Sequence, residues 1–386
     1  MSAENPLSSI LQAIKDWTQS NAQKSIHVAI PPERTDLEKA STPLRPNQSY
    51  FRVELADISL GGESKEWFEE QCLALHAVVR LKYDDKNGVL FNRLTGIPSD
   101  NDLSVVVDPE LSELMPFCGG KIELAAGLLT LPTYGDKSIE DDIKLCSDIS
   151  RLPSQLGRAS TLSFGLDSRV KALMDATGGR IHIGMHQTYA DQEGESQLQP
   201  GYHAIILAEP HQLNPEGLFV RNQRLLYSPS PDVEPQPLRE QDYLLFHIEG
   251  RKERGDWRLR DIQEPCVRAM RAVLRGNADE ARKYKTVALT QAIESPDLTP
   301  IDQGRLAFAI KEELDSLEAN PQGAVGDSER DLNEIMAARA RPLEQSAILR
   351  HVIEDEMLQW KSERIPVAAE WPEWDISTID EATKSI

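Results

Sequence analysis

HAVVRLKYDDKNGVLFNRL, residues 76–94, sets two apolar runs on either side of Asp84-Asp85-Lys86-Asn87-Gly88. Asn-Gly supplies the positive φ that a tight hairpin turn needs, so the two runs are predicted to pair locally as antiparallel strands. Further strand-like runs extend outward from this hairpin between Tyr50 and about residue 250: YFRVELADISL, LSVVVD, KIELAAGLLTL, RIHIGMHQT, YHAIILAE, LFV, RLLY and DYLLFHIEG. Their β-branched and alternating apolar character reads as strand. Helical periodicity breaks in twice, over about 64–75 with Trp67, Phe68 and Cys72 on one stripe, and over about 138–176 with interruptions at Pro153 and Gly157. A strict alternation of strand and helix is missing, which favours an α+β fold with a mixed or largely antiparallel sheet over a doubly wound one.

After the proline-rich SPSPDVEPQPLREQ, residues 228–241, the pattern turns helical: 256–275, 278–294 ahead of Ser295-Pro296, and 300–319 introduced by Thr299-Pro300. Helices of that length with short connections predict a small C-terminal bundle. Four parts follow: an amphipathic helix and linker over 1–48, a strand-rich α+β domain over 49–250, a helical unit over 255–319, and a helix with an acidic, tryptophan-bearing tail over 329–386. In the first part Leu7, Ile10, Leu11, Ile14 and Trp17 share a face after Asn5-Pro6. That stripe either docks on its own domain or binds another protein.

The 386 residues suit two or three domains. Asp and Glu outnumber Lys and Arg by 63 to 42, a formal charge of −21, so the chain as a whole repels phosphate backbones and anionic lipid. Cys72, Cys118, Cys146 and Cys266 are scattered with no C-x-x-C pair, as in a reducing compartment. The N-terminus lacks a secretory pattern and no run reaches the roughly 18–20 apolar residues of a membrane span, so cytoplasmic residence is expected.

Candidate chemistry is sparse. His182 and His186 in HIGMH would share a strand face about 13 Å apart, too far for one ion unless the strand bulges at Gly184. No metal and no cofactor are expected. Cys118, before Gly119-Gly120, is the one candidate nucleophile; a thiol-dependent hydrolase would pair it with His186 or His203, with His76 a further imidazole in the chain. A small buried thiol beside turn glycines is the commoner arrangement. No Walker, G-x-S-x-G, H-E-x-x-H or kinase signature occurs.

Arg251, Lys252, Arg254, Arg258 and Arg260, with Trp257 among them and Arg268, Arg271 and Arg275 beyond, form a basic cluster. It could clamp a nucleic acid or nucleotide, or pair with the acidic surplus of the same protein. Trp360, Trp371 and Trp374, half of the six tryptophans, fall within 15 positions among carboxylates. Tryptophans of this kind either fold back on their own chain or anchor a partner.

MPFCGGKIELAAGLL (115–129), GMHQTY (184–189), PGYHAIILA (200–208) and DYLLFHIEGRKERGDW (242–257) resemble uncharacterised bacterial proteins encoded near peptidase-like or conflict-system genes. The resemblance covers about residues 50–315 and implies a prokaryotic, cytoplasmic role tied to defence, with no functional residue to carry over. Together the readings predict a non-catalytic regulatory or adaptor protein that binds another protein, with the Cys118 hydrolase and nucleic-acid or nucleotide binding as alternatives.

Overall fold

The computed structural model describes residues 9–36, 43–61, 71–82, 88–97, 110–119, 121–132, 137–150, 156–190, 198–209, 211–320 and 330–339. Among these are seven helices and twelve strands, every strand pair antiparallel, so the α+β expectation holds in its antiparallel form.

The antiparallel pairing forms as read: β3 (Gln71–Lys82) pairs with β4 (Gly88–Ile97) in unbroken register from Leu73↔Ile97 to Lys82↔Gly88, with Gly88 the first residue of β4 and the connecting residues 83–87 outside the described residues. On its other side β3 meets β6 (Lys121–Pro132), and β6 meets β7 (Arg180–Tyr189), which completes a four-stranded sheet ordered β4-β3-β6-β7. The helix expected over 64–75 is corrected here, because Cys72 and its neighbours through Leu75 lie in β3. Pairing on both sides and burial of both faces outweigh a three-residue helical stripe. Residues 62–70 and the LSVVVD run lie outside the described residues.

A second sheet, ordered β1-β8-β12-β2-β5, packs against the first. It contains β1 (Ile26–Ile30), β2 (Ser49–Ser59), β5 (Met115–Phe117), β8 (Gly201–Ile206) and β12 (Tyr243–Arg251). DYLLFHIEG, read as a strand, is the central strand of this sheet, between β8 and β2. The sheet also takes in Ile26–Ile30, ahead of the proline-bearing segment. Leu75, Val79, Leu124 and Leu128 of one sheet meet Phe51, Leu55, Phe246 and Ile248 of the other in the main core. A small sheet of β9 (Leu218–Arg221), β10 (Arg224–Tyr227) and β11 (Gln236–Pro237) covers part of the outer face of the second sheet.

Helices cover the outer face of the first sheet: α1 (Ser9–Ser20), α2 (Lys137–Ser150) and α3 (Leu156–Thr177); Pro153 lies outside the described residues, and Gly157, expected to interrupt the helical stretch, lies within α3. α1 approaches closely because Gly127 and Gly184 sit opposite each other in register on β6 and β7. A Cβ at Gly127 would lie 3.1 Å from Ile14, and one at Gly184 would lie 2.9 Å from Trp17. Ile10, Leu11 and Ile14 have no exposed surface, which at ~1.5–3 kcal/mol per buried side chain anchors the helix firmly to its own domain. Leu7 lies outside the described residues.

The C-terminal helices are α4 (Arg260–Leu274), α5 (Ala278–Ile293), α6 (Pro300–Ala319) and α7 (Leu332–Arg339). Asn277 and Thr299 cap α5 and α6 through their side chains, the latter just before Pro300 as the sequence signalled. They share a core of Trp257, Ile262, Leu289, Leu306, Ile310 and Ile335. No helix among the described residues is long and apolar enough to cross a membrane.

Candidate binding site at the open side of the sandwich

The two sheets end on the same side, where β1 and β7 form their edges. A cavity of about 210 Å³ opens between those edges. Alternation of side chains fixes its lining. On β8, His203 shares a face with Ile205, which points into the main core. The register His27↔Ile205 and Ala29↔His203 then places His27 on that face as a diagonal neighbour of His203. From β7, Met185, Gln187 and Tyr189 complete the opposite wall.

Hydrogen bonds fix the proton positions on both imidazoles. His203 Nε2 lies 2.9 Å from the Gln199 carbonyl oxygen, which can only accept, so Nε2 carries the hydrogen and Nδ1 keeps a lone pair. His27 Nδ1 accepts from the Gln187 side-chain amide at 3.2 Å, so its Nε2 carries the hydrogen. Burial holds both imidazoles below the ordinary histidine range; the His247 charge adds to this at His203, against the pull of the Gln199 carbonyl. Burial also pushes the Tyr189 phenol up to about 12. The cavity is therefore polar but uncharged near neutral pH.

His186 lies on the opposite face of β7 and does not reach this cavity. Its Nε2 meets Glu123 Oε1 at 2.8 Å, and Lys15 of α1 and Arg80 of β3 bind the same carboxylate at 2.5 and 3.4 Å. Burial alone would raise the Glu123 pKa, but the bonds and charges of His186 and Lys15 bring it down to about 2. His182 bonds Asp242 at 2.7 Å. The bulge in β7 falls at His182, between Ile181 and Ile183, and not at Gly184. Among the described residues no three His, Cys, Asp or Glu side chains gather closely enough to hold a metal ion.

Cys118 follows β5, at the far edge of the second sheet from β1. Strands β2 and β12 lie between β5 and the His203 strand, which places Cys118 and His203 roughly 14 Å apart across the sheet at ~4.8 Å per strand. His186 belongs to the other sheet. Burial pushes the Cys118 thiol up to about 11, the direction opposite to an activated nucleophile. His76 lies fully buried under the helices, its pKa lowered to about 4 by burial against the opposing charge of Asp167.

The basic cluster is dispersed over local partners. Arg251 binds Glu249, Arg254 donates to the backbone carbonyls of Asp256 and Asp297 at 2.8 Å, and Arg258 lies 3.7 Å from Asp256. Arg268 binds Glu264 and stacks over Tyr284, while the Trp257 ring is core. Lys252 and Arg260 are exposed, and Arg275 forms the C-cap of α4. Trp360, Trp371 and Trp374 lie outside the described residues.

Sequence reasoning named His203, but for a different role, and passed over His27, Gln187 and Tyr189. IHVAI did carry a strand signal at His27. It falls within residues 1–48, which read from sequence as a helix and linker. Compared with known families and curated proteins, the sequence matches no family model and no curated protein.

Proposed function

We propose that this chain is a non-catalytic regulatory or adaptor protein that holds an extended segment of a partner protein along the open side of its sandwich. The observation that carries the reading is the edge strand β7. It spans ten residues, and no other strand pairs with its outer side among the described residues. Such an edge is a ready template for strand addition, and proteins usually blunt it when it has no use. Here the bulge at His182 blunts only the first part, leaving Ile183–Tyr189 in unbroken register with β6. The pairing of Arg251, Arg254 and Arg258 with local carboxylates and carbonyls favours this reading over nucleic-acid binding. The elevated Cys118 pKa favours it over a thiol hydrolase. A bacterial, cytoplasmic defence setting is the part of the proposal that rests on sequence resemblance. The acidic tail with Trp360, Trp371 and Trp374 is proposed as a second contact with the same partner.

The test is site-specific photo-crosslinking in the native cell, with the crosslinker at Ala29 or Thr188 and, as a control, at the exposed Asp232. One shared partner crosslinked from Ala29 and Thr188 but not from Asp232 supports the proposal. No crosslinks from either edge position, with equal recovery from Asp232, overturns it.

A further inference from the structure

We propose that the cavity between β1 and β7 is a binding site for a small, uncharged, planar heterocycle of the nucleobase class, read by His27 and His203. This does not rest on strand addition, since the cavity lies between the sheets and not along the outer backbone of β7. Three features of the cavity converge on that chemistry.

Size comes first. An enclosed apolar cavity of about 150 Å³ takes a benzene ring, so about 210 Å³ suits one ring with substituents or a fused pair.

Hydrogen bonding comes second. Because Gln199 fixes the hydrogen of His203 on Nε2 and Gln187 fixes that of His27 on Nε2, the pair offers one acceptor nitrogen, His203 Nδ1, and one donor, His27 Nε2–H. They are diagonal neighbours on adjacent strands, roughly 7–8 Å apart at the backbone. A heterocycle with both a donor and an acceptor on its rim matches that pair, whereas a purely apolar ring would leave both nitrogens unmatched. Tyr189, whose hydroxyl has no hydrogen-bond partner among the described residues, adds a phenol to the opposite wall.

Charge comes third. The lining holds no Lys, Arg, Asp or Glu, and the whole chain carries −21. A phosphate on the ligand would find no counter-charge there and would face an unfavourable field. The same recognition elements could be met by a free base or nucleoside or by a base within a nucleic-acid strand. The charge balance selects the free form.

The experiment is calorimetric titration of the full-length protein with adenine, hypoxanthine, adenosine, AMP and a short deoxyadenosine oligomer. In parallel, imidazole C–H resonances are recorded in protein with labelled histidine and assigned with His27→Phe and His203→Phe. The expected result is a dissociation constant below 1 mM, by order of magnitude for a ligand of about ten heavy atoms, for at least one free base, with AMP at least tenfold weaker and the oligomer silent. The His27 and His203 resonances should shift on saturation, and His203→Phe should weaken binding at least tenfold. No heat with any base or nucleoside at millimolar concentration overturns the proposal. So does binding that leaves both imidazole resonances unmoved, and so does AMP or the oligomer binding as tightly as the base. The resonance shifts are read in unaltered protein, so the outcome stands even if a variant fails to fold. Partner crosslinking at Thr188, which does not line the cavity, reports separately on strand addition.

Discussion

The phenol of Tyr50 on β2 donates to Oδ2 of Asp302, in the first turn of α6, across 2.7 Å and 252 residues of chain. The same phenolic oxygen accepts from the Thr299 backbone N–H at 3.1 Å, and Arg305 donates to the other Asp302 oxygen at 2.8 Å. This buried group joins the sandwich to the helical unit. Tyr50→Phe leaves a backbone N–H and a carboxylate oxygen without their partner, at about 1–3 kcal/mol for each unsatisfied group. The expected loss in urea unfolding is about 2–3 kcal/mol, with faster proteolysis between residues 252 and 259. A midpoint equal to that of the unaltered protein would show that the bond contributes nothing.

At Gly184, Trp17 occupies the space a side chain would need. Gly184→Ala is expected to lower stability by ~1–3 kcal/mol through overpacking. Combining it with Trp17→Leu should recover part of that loss, because the two positions share one contact. Strict additivity in a double-mutant cycle would contradict the close packing of α1.

Acid should weaken the fold in two windows. His76 is held near 4 in the folded protein, below its ordinary value of 6.5, so the unfolded chain binds more protons between these values and stability falls as pH drops from 6.5 towards 4. Glu123 is held near 2, below 4.5, so its contribution is complete above 4.5 and is lost as pH falls towards 2. His76→Leu should flatten the upper window and Glu123→Gln the lower one, read as denaturant midpoints against pH. His27 and His203 leave a residual slope in the upper window. Unchanged slopes in both variants would contradict these assignments.

Burial raises the pKa of all four thiols: Cys72 and Cys118 to about 11, Cys266 to about 12, and Cys146 above its usual value. Graded iodoacetamide at neutral pH should therefore label none of them rapidly. Mass spectrometry showing Cys118 modified much faster than the other three would revive the hydrolase reading.

Deletion of residues 365–386 removes Trp371 and Trp374. It is expected to lower the thermal midpoint by only a few degrees and to weaken recovery of the partner crosslinked at Ala29. Gross unfolding of the truncated chain would assign these tryptophans to the core, and undiminished recovery would remove the tail from the docking surface.

Local signals sufficed wherever an element's own residues decided its state. The turn signal between residues 84 and 88 marked the pairing of β3 with β4, and Thr299-Pro300 marked the start of α6, because turns and helix ends are governed by the few residues that occupy them. Leu73–Leu75 became strand because β4 and β6 flank them, a condition no window of sequence contains. The cavity is a tertiary product in the same sense. His27 and His203 are 176 positions apart and Gln187 and Tyr189 belong to the other sheet, so their meeting depends on strand order and on which sheet edges end together. Strand order is set by long-range pairing and by packing of one sheet on another, whereas periodicity in the sequence reports only which face of each strand is buried.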